Sequence, residues 1–178
     1  MFREDYSLTY YVDKTDILSE LVPLIELKNN IGESTGENLE KGLKYVAVTR
    51  PRRFGKTVMA NMIASYFGKG ADSHKEFDTL KAARQPWYKK HLNQHNVIFI
   101  SFNETPSMCN CYEEYIKSFI KGLLIDLIKA YPEAEIEKDD DPWYAFKKIY
   151  EYCNQEKFIF ILEQQHLGSQ HDMATIRL

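Results

Sequence analysis

Residues 45–68 fix the frame of this chain. Tyr45-Val46-Ala47-Val48-Thr49 is a compact apolar run rich in β-branched residues, the composition of a buried strand. It leads straight into Arg50-Pro51-Arg52-Arg53-Phe54-Gly55-Lys56-Thr57. A helical pattern follows, with Val58, Met59, Met62, Ile63, Tyr66 and Phe67 on one face and Gly68 as the stop. Strand, basic turn with Gly-Lys-Thr, then helix is the local context of a P-loop.

Each residue type in that turn has a chemical reason. Gly55 lets the backbone turn tightly and come close to a phosphate, Lys56 can reach the β and γ oxygens, and the Thr57 hydroxyl can ligate Mg²⁺. The helix that starts there adds unpaired N–H donors and the positive end of its dipole. Backbone donors from Arg52, Arg53, Phe54, Gly55, Lys56 and Thr57 would cradle the charge, with the Arg52 and Arg53 side chains as second-tier contacts. The full pattern G-x-x-x-x-G-K-[ST] has a glycine where this chain has Arg50. Either Arg50 takes positive φ at a cost of about 1–2 kcal/mol, or the loop follows a different path. Arg50, Arg52 and Arg53 beside Lys56 read as extra anion binding, to nucleotide phosphate or nucleic acid, or as a solvated basic turn.

The remaining elements follow by period. Ile17, Leu18, Leu21, Val22 and Ile25 recur at helical steps before a polar loop from Asn29 to Lys44. Residues 69–95 read as a loop-rich insert with a weak helix over Phe77 to Ala83. Val97 to Phe102 is the strongest β signal, Tyr112 to Tyr131 a helix ended by Pro132, and Asp141 caps a helix that opens on Pro142 and runs to about Cys153. Phe158 to Leu162 is a third strand. Strands separated by helices predict an α/β domain, a P-loop NTPase-like three-layer fold with a mostly parallel sheet.

Composition narrows the classes. With 23 Lys and Arg against 26 Asp and Glu, the net charge of −3 excludes a globally basic nucleic-acid binder but not a local basic patch. No apolar run is long enough for a membrane span, and the N-terminus lacks a signal-peptide pattern. Cys109, Cys111 and Cys153 are odd in number without metal-ligand spacing, which suits a reducing cytoplasm. His74, His91, His95, His166 and His171 are scattered among polar residues and read as solvated, and the acidic run from Glu133 to Asp141 as an exposed loop.

Tyr11-Val12-Asp13-Lys14-Thr15, followed after about thirty residues by Thr49 to Thr57, resembles the bacterial AAA-ATPase-like family, in which a VDKT segment precedes an RPRRFGKS/T P-loop. The likeness spans roughly residues 6–162 and makes Arg50 a family trait. It implies a P-loop ATPase that uses ATP and Mg²⁺, often fused to a restriction-endonuclease-like domain, and it leaves an oligomer open. Within it Lys14 either approaches the nucleotide or forms a structural salt bridge.

The same resemblance implies Asp-Glu-Tyr/Trp-Asp after the third strand, where an acid holds Mg²⁺ and polarises water. This chain has Glu163-Gln164-Gln165-His166. Glu163 either supplies the catalytic, metal-organising carboxylate or is an ordinary exposed residue, and no second acid follows it. The expected domains are therefore residues 1–162, a P-loop domain incomplete at its C-terminus, and 163–178, an atypical tail that is disordered, truncated or out of frame. Two functions compete. One is ATP binding with hydrolysis in doubt; the other is a non-catalytic module, a remnant of a larger ATPase–nuclease, holding phosphate or a nucleic-acid backbone through Arg50–Arg53.

Overall fold

The computed structural model describes residues 2–7, 10–30, 45–51, 54–70, 72–102, 111–164 and 171–177. Arg52, Arg53, Cys109, His166 and most of the polar loop before Lys44 lie outside them. The described residues fall into two compact units, 1–103 with 158–178, and 104–157.

In the first unit, helix α1 (Phe2–Tyr6) and helix α2 (Leu18–Asn30) precede strand β1 (Tyr45–Pro51) and helix α3 (Lys56–Phe67). Leu18, Leu21, Val22 and Ile25 of α2 are buried, as their three- and four-residue spacing requires. α3 buries Met59, Met62, Ile63, Tyr66 and Phe67 and ends where the Gly68 amide donates to the Ala64 carbonyl at 2.9 Å. A Cβ at Gly68 would sit 2.7 Å from that same oxygen, so only glycine fits the close approach.

The segment after Gly68 differs from the weak helix expected over 77–83. It forms three separate turns, α4 (His74–Phe77), a 3₁₀ turn (Lys81–Arg84) and α5 (Tyr88–His91). Phe77, Leu80 and Tyr88 bring it into the hydrophobic core, where Phe77 stacks on Phe2 at 4.9 Å. One histidine expected to be solvated is not. His91 is 3% exposed, with Nδ1 2.9 Å from Nε2 of His95 and Nε2 3.1 Å from the Glu26 carboxylate. These partners come from α2 and from the residue just before Asn96, which local polarity could not reveal.

Strand β2 (Asn96–Ser101) and strand β3 (Phe158–Gln164) pair in parallel, with Val97 opposite Ile159, Phe99 opposite Ile161 and Ser101 opposite Glu163. The tail carries a strand that its composition did not show. Strand β4 (His171–Arg177) lies between β1 and β3 and pairs antiparallel with both, giving the order β1-β4-β3-β2. The α/β class holds: β1, β2 and β3 run in one direction and β4 runs against them, so β2–β3 is the parallel pairing and both pairings of β4 are antiparallel. Backbone ladders can recruit a segment without apolar alternation, because the neighbouring strands supply every hydrogen-bond partner.

β1 also runs two residues further than its apolar run. Arg50 pairs with Asp172 and Pro51 with His171. Arg50 is therefore extended and is not among the residues at positive φ. Of the two alternatives for Arg50, positive φ is thus excluded. Pro51 is tolerated because β1 forms one edge of the four-stranded sheet.

In the second unit, helix α6 (Tyr112–Ala130) and helix α7 (Pro142–Tyr152) pack on each other. Asp141 caps α7 by accepting from the Trp143 amide at 2.9 Å, with Pro142 at the first helical position, as expected. In the acidic run, Asp140 pairs with Lys148 at 2.7 Å.

Candidate functional site

The site forms where the first turn of α3 meets the end of β3. Side chains on a strand alternate between faces, so Ile159, Ile161 and Glu163 share one face of β3. All three are buried, and β3 packs against α3. The two isoleucines join the core, and the same two-residue step carries Glu163 to the start of the helix. There the Thr57 hydroxyl donates to Oε1 of Glu163. From the neighbouring strand, Ser101, on the same face as Val97 and Phe99, donates to Oε2 at 3.4 Å.

Glu163 is 4% exposed, which corrects the reading of it as an ordinary surface residue. A carboxylate this buried needs hydrogen-bond donors, and Thr57 and Ser101 provide them. Its backbone is held as well, since the Phe102 amide donates to the Glu163 carbonyl at 2.9 Å.

The turn itself is built on Gly55. At φ 71° and ψ 37° it occupies the left-handed region, and its carbonyl accepts the first helical hydrogen bond, from Met59, at 3.0 Å. Lys56, the first residue of α3, is 8% exposed, whereas Thr57 beside it is exposed. The first amides of any helix lack intrahelical acceptors, and α3 has no acidic residue in its first turn to neutralise them. Phe54 is 57% exposed, and its carbonyl accepts from Lys14 Nζ at 2.8 Å. Gly55, Lys56 and Thr57 are thus gathered with Glu163, while Arg52 and Arg53 lie outside the described residues.

Among the described residues Lys14 pairs with the Phe54 backbone carbonyl and with no carboxylate, so the structural salt bridge is not the contact it makes. It is held by its neighbours. Asp13 accepts from the Thr15 amide and hydroxyl at 2.9 and 2.7 Å and from the Lys81 amide at 2.8 Å. Thr15, fully buried, in turn accepts from the Ala82 amide at 3.1 Å. Burial by itself raises the Asp13 carboxyl, but the Lys81 and Thr15 hydrogen bonds and the Lys81 charge outweigh it and hold the group below its ordinary value. Sequence singled out Asp13 and Lys14 without a role, because a side chain reaching a backbone carbonyl 40 residues away leaves no spacing pattern.

The donor set suits one class of metal. Among the described residues no group of three His, Cys, Asp or Glu gathers into a metal cluster. A hydroxyl and a single carboxylate are hard oxygen donors of the kind Mg²⁺ accepts, since that ion keeps several waters and takes few protein ligands. Among the described residues, no helix is long and apolar enough to cross a membrane.

A family model described as a predicted AAA-ATPase matches residues 36–166, well over half of the chain, from before β1 to just past β3. No curated protein and no solved structure matches the chain.

Proposed function

The chain belongs to the family of predicted AAA-ATPases, and from that premise we propose that it binds ATP with Mg²⁺ at the start of α3. The observation that carries this reading is the Thr57–Glu163 hydrogen bond, which joins the turn to a buried carboxylate at the end of a parallel strand. In a P-loop NTPase-like three-layer fold, those are the two places that supply protein oxygens to the metal. Gly55 in the left-handed region and the first amides of α3 form the phosphate cradle, and Lys56 supplies the cation for the β and γ oxygens. Thr57 and Glu163 would hold the Mg²⁺, which when bound neutralises phosphate charge. Arg52 and Arg53 are second-tier phosphate contacts in this proposal.

Binding is the activity proposed, rather than turnover. Glu163 is followed by Gln164 and Gln165, so the next two positions carry no acid to orient an attacking water. Titration with a fluorescent ATP analogue, with Mg²⁺ and then with a chelator, tests the proposal. Saturable binding that weakens on chelation is expected. Steeply salt-dependent binding of DNA with no nucleotide affinity would instead establish the Arg50–Arg53 cluster as a nucleic-acid module.

A further inference from the structure

We propose that Lys14 is a positioning residue for the phosphate cradle, acting through the peptide bond between Phe54 and Gly55. This rests on the nucleotide reading and extends it to a segment outside the matched residues 36–166. The Lys14 ammonium donates to the Phe54 carbonyl at 2.8 Å. A Cβ added to Gly55 would lie 2.9 Å from Nζ, so the ammonium also sits against Gly55 itself.

The described chain has no cis peptide bond, and in a trans peptide the carbonyl and the following N–H point in opposite directions. By holding the Phe54 oxygen, Lys14 fixes the direction of the Gly55 amide. Glycine has unusual freedom to rotate that peptide, because both signs of φ are open to it. A rotated peptide would offer a carbonyl oxygen where an anion needs a donor. Lys14 prevents this by taking the oxygen for itself in a charge-assisted hydrogen bond.

The lysine is anchored from the side away from the turn. Asp13 and Thr15, its neighbours in sequence, are tied to the amides of Lys81 and Ala82. Ile17, two residues beyond Thr15, donates its amide to the Lys14 carbonyl at 3.3 Å. A side chain this long brings a rigid fixture to bear on the turn only because its own backbone is held. The adjacent carboxylate of Asp13 is engaged elsewhere, its two oxygens serving Thr15 and the Lys81 amide.

The test compares wild type with Lys14→Met, which keeps the stem and removes the charge, and Lys14→Arg, which restores a donor. Affinities for Mg-ATP and Mg-ADP are measured alongside melting temperature and the carbonyl ¹³C shift of Phe54 in the nucleotide-free protein. The proposal expects Lys14→Met to lose about tenfold in affinity for both nucleotides, the scale of one hydrogen bond to a charged group. It expects the Phe54 carbonyl shift to move, the melting temperature to stay put and Lys14→Arg to recover most of the affinity. Wild-type affinity in Lys14→Met overturns the proposal and leaves nucleotide binding standing. A loss confined to ATP, with the Phe54 shift unmoved, also overturns it, because Lys14 would then touch the γ-phosphate directly. A wild-type protein that binds neither nucleotide overturns the nucleotide reading and this proposal together.

Discussion

The hydroxyl of Thr57 donates to the carboxylate of Glu163, a residue 106 positions further along the chain. Two independent regularities create this contact. The helix begins at Lys56, which puts Thr57 in its first turn, and the two-residue period of β3 puts Glu163 on the face that Ile159 and Ile161 turn toward the core. Neither element was shaped by the other's sequence, yet their meeting supplies the hard oxygen donors that Mg²⁺ would take.

Glu163→Gln separates the charge from the hydrogen bond. Glutamine can still accept from Thr57, so the fold should survive, while the negative charge facing the metal is gone. Loss of a charged interaction of this kind is worth about 1.5–3 kcal/mol. The variant should need at least tenfold more Mg²⁺ to reach half-maximal nucleotide binding, read by Mg²⁺ titration at fixed nucleotide. An unchanged Mg²⁺ requirement would remove Glu163 from the metal site.

Asp13→Asn should show its effect through pH. The folded carboxyl lies below its ordinary value of 3.8, held there against burial by Lys81 and Thr15. A group depressed in the folded state contributes stability above its unfolded pKa, and that contribution fades as pH falls through the folded value. Wild type should therefore melt above Asp13→Asn at pH 7, and the gap should close between about pH 4 and more acidic conditions. Parallel melting curves with a constant gap down to pH 3 would contradict the assignment.

Much of this arrangement was legible in the sequence, and the exceptions have a common cause. β1, α3, β2 and β3 stand out because each has a continuous or periodic apolar pattern, and Asp141-Pro142 marks its helix start by local chemistry alone. Glu163 was within reach. Continuing the alternation of Ile159 and Ile161 by one step would have placed it inside, had the strand not been ended at Leu162. His91 and Lys14 were out of reach, since Glu26 and the Phe54 carbonyl are 65 and 40 residues away. β4 was hidden for a different reason: its pairing is made by backbone groups, which every sequence possesses.

Ile161→Ala probes the core that carries the site. Ile161 is fully buried beside α3 and sits two residues before Glu163. Truncating a buried isoleucine costs about 2–5 kcal/mol. Chemical denaturation should show a loss in that range, and a loss below about 1 kcal/mol would mean that β3 is not a core strand.

The central claim is that the turn at Gly55–Thr57 holds nucleotide phosphate. Its most direct measurement is the titration of wild type and Lys56→Ala with a fluorescent ATP analogue in Mg²⁺, each first shown to melt cooperatively. The account predicts saturable binding by wild type and a loss of at least a hundredfold in the variant, about 2.7 kcal/mol. Equal binding by the two folded proteins, or none by wild type, would contradict it.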